Sequence, residues 1–210
     1  NSAGIFIPEN DKKRWAKLRN DLPPVPIAGE KGEDKLVPGE TYEDKRNSEN
    51  PELYAIFPYR VYGVEKPDLD IALRTFNTRS HKETGGWQQN AIQAAHLGLA
   101  KEASEYVARN FSSWNKNYRF LVMYGPNYDW TPDQTHGSVA MTALQRMILQ
   151  TEGDKIYLLP AFPDNWDAEF KLHAPKNTII EGKVINGKLE KLEVSPKERR
   201  GDVKILDVVQ

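Results

Sequence analysis

The chain has 210 residues, 39% hydrophobic and 28% charged, with 29 Lys+Arg against 30 Asp+Glu and no cysteine. Its length bounds it to one domain or two, and a net charge of −1 supplies no electrostatic footprint for nucleic acid. Disulfides and thiolate metal sites are excluded, and no apolar run approaches the roughly 20 residues needed to cross a bilayer.

The opening NSAGIFIPENDKKRW has no initiating Met and no signal-peptide layout, so the chain is expected to be a piece of a longer one. ENDKKRWAKLRN, 9–20, reads as a helix with Trp15 and Leu18 on one face and Asn10 or Asp11 as cap. Residues 22–50 are rich in Pro, Gly and charge, and predict a long loop of the kind that is functional or disordered. PELYAIFPYRVYG, 51–63, predicts a short helix and then, after Pro58, irregular chain. DLDIALRTFNTR, 68–79, predicts a helix with Ile71, Leu73 and Phe76 as its apolar residues.

The spacing of Ala91, Ala94, Ala95, Gly98, Leu99, Ala103 and Val107 predicts one long helix over 86–111. Its small residues expect close helical partners, some of them outside this sequence. A further helix is predicted over 136–150, from Val139, Ala140, Ala143, Leu144, Met147 and Ile148. After Gly153 the pattern changes to strands: 155–163, FKLHAP, NTIIEGKVINGKLEKLEVSP and DVKILDVV. Asn186-Gly187 marks a hairpin within them. Helices therefore precede strands, which predicts an α+β arrangement and not a parallel βαβ sheet.

Few chemistries survive this pass. GEKGEDK, 29–35, has no strand–helix context for a phosphate loop. His81, His96, His136 and His173 are far apart, and none forms a His-x-x-x-His pair, so no metal is expected. His96, among Ala94, Ala95 and Leu97, reads more readily as an interior histidine than as an active one. No Gly-x-Ser-x-Gly elbow occurs.

Carboxylates and rings remain. YGPNYDWTPDQTHG, 124–137, gathers Tyr124, Tyr128, Asp129, Trp130, Asp133 and His136 just ahead of a helix. Aromatic faces stack on sugar C–H groups, and glycoside hydrolysis takes two carboxyl groups, roughly 6.5–9.5 Å apart when the anomer inverts. Asp133 suits an N-cap equally well.

The order LPPVPI, PELYAIFPYRVYG, GGWQQNAIQAAHLGLAKEA, PDQTHGSVAMTALQRMILQ and IYLLPAFPDNW resembles the C-terminal half of glycoside hydrolase family 95 and its relatives, over roughly residues 20–195. The resemblance implies a partial (α/α)6 helical barrel over 1–152 followed by a small antiparallel, β-sandwich-like C-terminal domain over 153–210. It implies an inverting glycosidase acting on a carbohydrate substrate without a cofactor, secreted or periplasmic, with the N-terminal remainder of its own chain as partner. That family places an Asp four residues before a Gly as part of its general-base machinery. Asp133 and Gly137 keep that spacing, and Asp129 is the second choice. Trp87 and Gln88 match in position as cleft residues, with a buried helix-start Trp as the other reading. Tyr128, Trp130 and His136 join them as candidate sugar contacts. The family's histidine-rich substrate stretch corresponds to NSENPELY, 47–54, and its general-acid Glu would lie upstream of Asn1. A non-catalytic carbohydrate-binding or scaffold protein is the alternative. A lyase or phosphorylase is a third.

Overall fold

The computed structural model describes residues 6–30, 32–43, 47–112 and 134–206. The first helix, α1 (Glu9–Asp21), buries none of its residues. Pro8 occupies its N-cap position and no side chain caps it, so neither Asn10 nor Asp11 does. Trp15 and Leu18 share a face as expected, and both are exposed.

The long Pro/Gly-rich stretch contains more order than its composition predicts. β1 (Ile27–Ala28) and β2 (Lys35–Leu36) pair antiparallel. Two side chains of α2 (Leu69–Thr78) pin this hairpin. The Thr75 hydroxyl accepts the Leu36 N–H at 2.9 Å, and Arg74 Nε donates to the Asp34 carbonyl at 3.1 Å. Between them lies a 3-10 helix, Pro51–Ala55, its proline in the first turn where no N–H is needed.

The single helix predicted over 86–111 is two. α3 (Asn90–His96) ends at Leu97, and α4 (Ala100–Ser112) starts afresh. Gly98, read as one more small residue on a helical face, has φ +79°. Leu99 N–H bonds back to the Ala94 carbonyl (3.0 Å) and Gly98 N–H to that of Ala95 (3.2 Å). That pair of bonds is a Schellman stop, which favours glycine because a left-handed residue is needed. All seven residues of α3 are buried. Its alanines let α4 and α5 (Gln134–Ile148) approach closely, so two of the expected partners lie within the chain.

The expected partial (α/α)6 barrel is not what forms. Among the described residues α3, α4 and α5 pack on one another as one small cluster, while α2 spends its buried face on β2 and the 3-10 helix. A toroid needs concentric helix pairs, and a helix whose Ala72, Thr75 and Phe76 are covered by a hairpin and a 3-10 turn cannot serve as one of them. The coarser α+β arrangement holds.

From Ile148 the chain passes directly into β3 (Leu149–Glu152), which turns at Gly153 into β4 (Lys155–Leu158). β5 (Ala168–Ala174), β6 (Thr178–Ile185) and β7 (Lys188–Ser195) form an antiparallel sheet in that order. A second 3-10 helix, Lys197–Asp202, then carries the chain back, and β8 (Val203–Ile205) lies parallel to β4. One of the two C-terminal sheets is thus mixed, where antiparallel pairing alone was expected. Ile156, Leu158, Ile180 and Val184 are fully buried in the core of this part, each contributing about 1.5–3 kcal/mol by burial. Trp166 packs against both this core and the helical one. No helix among the described residues is long and apolar enough to cross a membrane.

Asn186-Gly187 forms the predicted two-residue turn between Ile185 and Lys188. Both residues have positive φ, 48° and 71°, the signature of a type I′ turn. A Cβ on Gly187 would lie 2.4 Å from Asp164 Cα. Gly187→Val is therefore expected to cost about 2 kcal/mol or more, read as a lower urea midpoint, whereas Lys188→Ala on the same hairpin should leave the midpoint nearly unchanged.

Candidate functional site

Asp129, Asp133, Tyr128 and Trp130 lie outside the described residues, and so does the question of whether Asp133 caps α5. His136 is the third residue of α5, and its side chain is likewise outside them. Trp87 and Gln88 belong to the turn that leads into α3.

In that turn Gln88 N–H bonds to the Gly85 carbonyl at 3.1 Å. Trp87 is half-buried, and Gln88 is only 9% exposed. The carboxamide oxygens of Gln88 and its neighbour Gln89 have no hydrogen-bond partner. Buried polar atoms are nearly always bonded, since leaving one unsatisfied costs about 1–3 kcal/mol. Two acceptors beside an indole ring are the donor-poor, aromatic chemistry that a hydroxylated ligand completes.

This turn shares one side of the molecule with the start of α5. Gln150, two residues past the end of α5, donates from Nε2 to the Ala95 carbonyl near the end of α3, at 2.7 Å. The two helices also pack side by side. They therefore run the same way, and their N-terminal ends face the same direction.

A groove of about 680 Å3 opens beside the turn, between the β1–β2 hairpin, α2 and the Pro51–Ala55 helix. Leu36, Val37 and Pro38 give it an apolar floor, and the exposed Tyr42 ring stands among its lining residues. Glu52 and Arg79 line it while being only 8% and 6% exposed. Arg79 connects groove and turn. Its Nε donates to Asn90 Oδ1 at 2.5 Å, Nη2 to the Tyr106 hydroxyl at 2.6 Å, and Nη1 to the Phe76 carbonyl. The guanidinium also stacks 3.6 Å from the Phe76 ring centroid. Asn90 Nδ2 in turn donates to the Glu83 carbonyl at 2.6 Å. A second clamp holds the segment that carries Glu52. Asn50 Nδ2 donates to the His81 carbonyl (2.8 Å), and His81 N–H returns a bond to Asn50 Oδ1 (3.1 Å).

His96 is interior, 5% exposed, with its ring stacked on Phe57 at 5.8 Å between centroids. Neither ring nitrogen has a partner. Burial first, then the charges of Arg60 and Arg146, push its pKa down to about 3. It is a neutral imidazole at physiological pH and sits at the opposite end of α3 from Gln88. Among the described residues no three His, Asp or Glu side chains gather as a metal site.

Of the predicted residues, the structure thus places Trp87 and Gln88 together. It adds Glu52, Arg79 and Tyr42, which the sequence reading did not select. Glu52 sat in plain view in NSENPELY, but its burial depends on a hairpin 16 residues earlier in the chain. The chain matches no protein-family model and no curated protein.

Proposed function

We propose that this chain is the C-terminal part of a bacterial glycoside hydrolase that works in the periplasm or outside the cell. The reading is supported by the ordered segments GGWQQN, PDQTHG and LLPAFPDNW. The observation that carries it is the Trp87–Gln88 turn: a half-buried indole next to buried carboxamide oxygens that lack donors, beside a groove of saccharide size.

In this mechanism Asp133 takes a proton from water as the water oxygen attacks the anomeric carbon. The glycosidic C–O bond breaks on the opposite face, and a carboxylic acid from beyond residues 1–210 protonates the leaving oxygen, with inversion. Gln88 and Gln89 accept hydroxyl protons, and Trp87 packs against the sugar's C–H face.

In the longer enzyme Asp133→Asn is expected to lower turnover by about 10²–10⁴-fold, the range for loss of a general base. Circular dichroism and melting temperature should stay unchanged. Near-normal rates would reject the role. Residues 1–210 alone should bind saccharide without hydrolysing it, and Trp87→Ala should weaken that binding while leaving the fold intact. Robust turnover by residues 1–210 would refute the missing acid.

One observation favours a second reading, non-catalytic sugar binding: NSENPELY lacks the histidines of the resembling family's substrate stretch. A longer chain that retains saccharide and releases no reducing ends would decide for it.

A further inference from the structure

We propose that the groove between the β1–β2 hairpin and α2 selects neutral saccharides over acidic ones, with Glu52 as the residue that decides. The inference rests on the carbohydrate reading above and adds the charge class of the ligand.

The argument is one of donors and acceptors. Three carboxylates line the groove, Glu30, Glu33 and Glu52, against two cations, Lys35 and Arg79. The two cations are not equivalent. All three nitrogens of Arg79 already donate to the protein, to Asn90, Phe76 and Tyr106, and its plane lies on the Phe76 ring. Its fork is turned to structure and is not presented to a carboxylate ligand in the bidentate geometry that anion recognition uses. Lys35 remains as a single flexible ammonium.

Glu52 is the opposite case. It is the deepest carboxylate of the three: Glu30 and Glu33 stand at the hairpin turn, whereas Glu52 is 8% exposed. An ionised carboxylate only accepts hydrogen bonds, and its two oxygens offer about four acceptor positions. A sugar hydroxyl meets it as a donor. A uronate or sulfate brought to the same wall meets a like charge where water screens poorly, which costs enough to exclude it. The hairpin clamps (Leu36 to Thr75, Asp34 to Arg74) and the Asn50–His81 pair fix the walls, so the groove cannot widen cheaply to avoid that encounter.

The test uses matched pairs of ligands that differ only at C6: methyl galactoside with methyl galacturonoside, and methyl glucoside with methyl glucuronoside. Each is titrated calorimetrically into the 210-residue chain and into Glu52→Gln at one ionic strength. The wild-type chain is expected to bind at least one neutral member about tenfold or more tightly than its uronate. Glu52→Gln should shrink that ratio to about threefold or less, because the amide keeps the shape and removes the charge. Thr78→Ala, on the same groove, should leave the ratio unchanged. Equal wild-type affinity for both members, or an unchanged ratio in Glu52→Gln, overturns the selectivity and leaves the carbohydrate reading standing. Absence of binding by every saccharide overturns the carbohydrate reading, and this inference with it.

Discussion

Arg79→Ala is expected to lower folding stability by about 3–5 kcal/mol, the range for breaking a buried charged network on one side. The substitution leaves Asn90 Oδ1, the Phe76 carbonyl and the Tyr106 hydroxyl without the donor each now has. Asn90 and Phe76 are buried, so water replaces that donor poorly. Packing is lost as well, since the guanidinium covers the Phe76 ring. Lysine should rescue little. Its single ammonium cannot reach an amide, a carbonyl and a phenol in three directions at once. The measurement is urea unfolding of wild type, Arg79→Ala, Arg79→Lys and Tyr106→Phe. Tyr106→Phe removes one arm and should cost about 1 kcal/mol. A loss below about 1 kcal/mol for Arg79→Ala would mean that the network contributes little. Since the same residue joins the groove to the turn at α3, a partly folded Arg79→Lys should also lose saccharide binding.

Acidification should destabilise the protein through His96 well before carboxylates protonate. Its folded pKa, about 3, lies below the ordinary histidine value of 6.5. The unfolded chain therefore takes up the proton more readily. Stability contributed by the neutral ring is complete above about pH 6.5, falls as pH drops through that value, and levels off only below about pH 3. Between pH 7 and pH 5 the loss from this one group is about 2 kcal/mol. The groups that hold it neutral come from several elements. Arg60 reaches in from the segment after the first 3-10 helix, bonded to the Thr151 carbonyl and stacked over Tyr157. Arg146 comes from α5, and Glu152 on β3 pairs with Arg60 and Lys66. A third cation among them is unfavourable. His96→Leu should flatten the pH 7–5 limb of the stability curve, and the difference between the two proteins isolates this histidine from the other three. Its stability at pH 7 should be nearly unchanged, because an apolar side chain of similar size leaves no nitrogen unbonded. Parallel pH curves for the two proteins would contradict the assignment.

Much of the fold was legible because local chemistry and final structure agree. Ile71, Leu73 and Phe76 marked α2, and its observed bounds, Leu69–Thr78, differ little from the predicted 68–79. Asn186-Gly187 marked the β6–β7 turn, whose geometry needs two left-handed residues. The break at Gly98 was legible in principle, since glycine is the usual C′ residue of a helix. It was overridden by alanines at helical spacing on both sides, which suit two helices as well as one. The β1–β2 hairpin was hidden because its strands are two residues each, too short for any period. Of the candidate site, Trp87 and Gln88 were found through their position before a helix. The orphaned oxygen of Gln88 could not be.

By itself the sequence determined where helices give way to strands, which chemistries are absent, and which short stretches turn. These follow from side-chain period, residue type and backbone stereochemistry, all local properties. Only the tertiary structure decided that α2 packs on a hairpin and not in a ring of helices, that β8 returns parallel to β4, and that Glu52 and Arg79 share one groove wall. Each of those depends on contacts between residues distant in the chain, where many partners satisfy the same local pattern and the choice among them is made by packing and by which buried polar atoms find a mate.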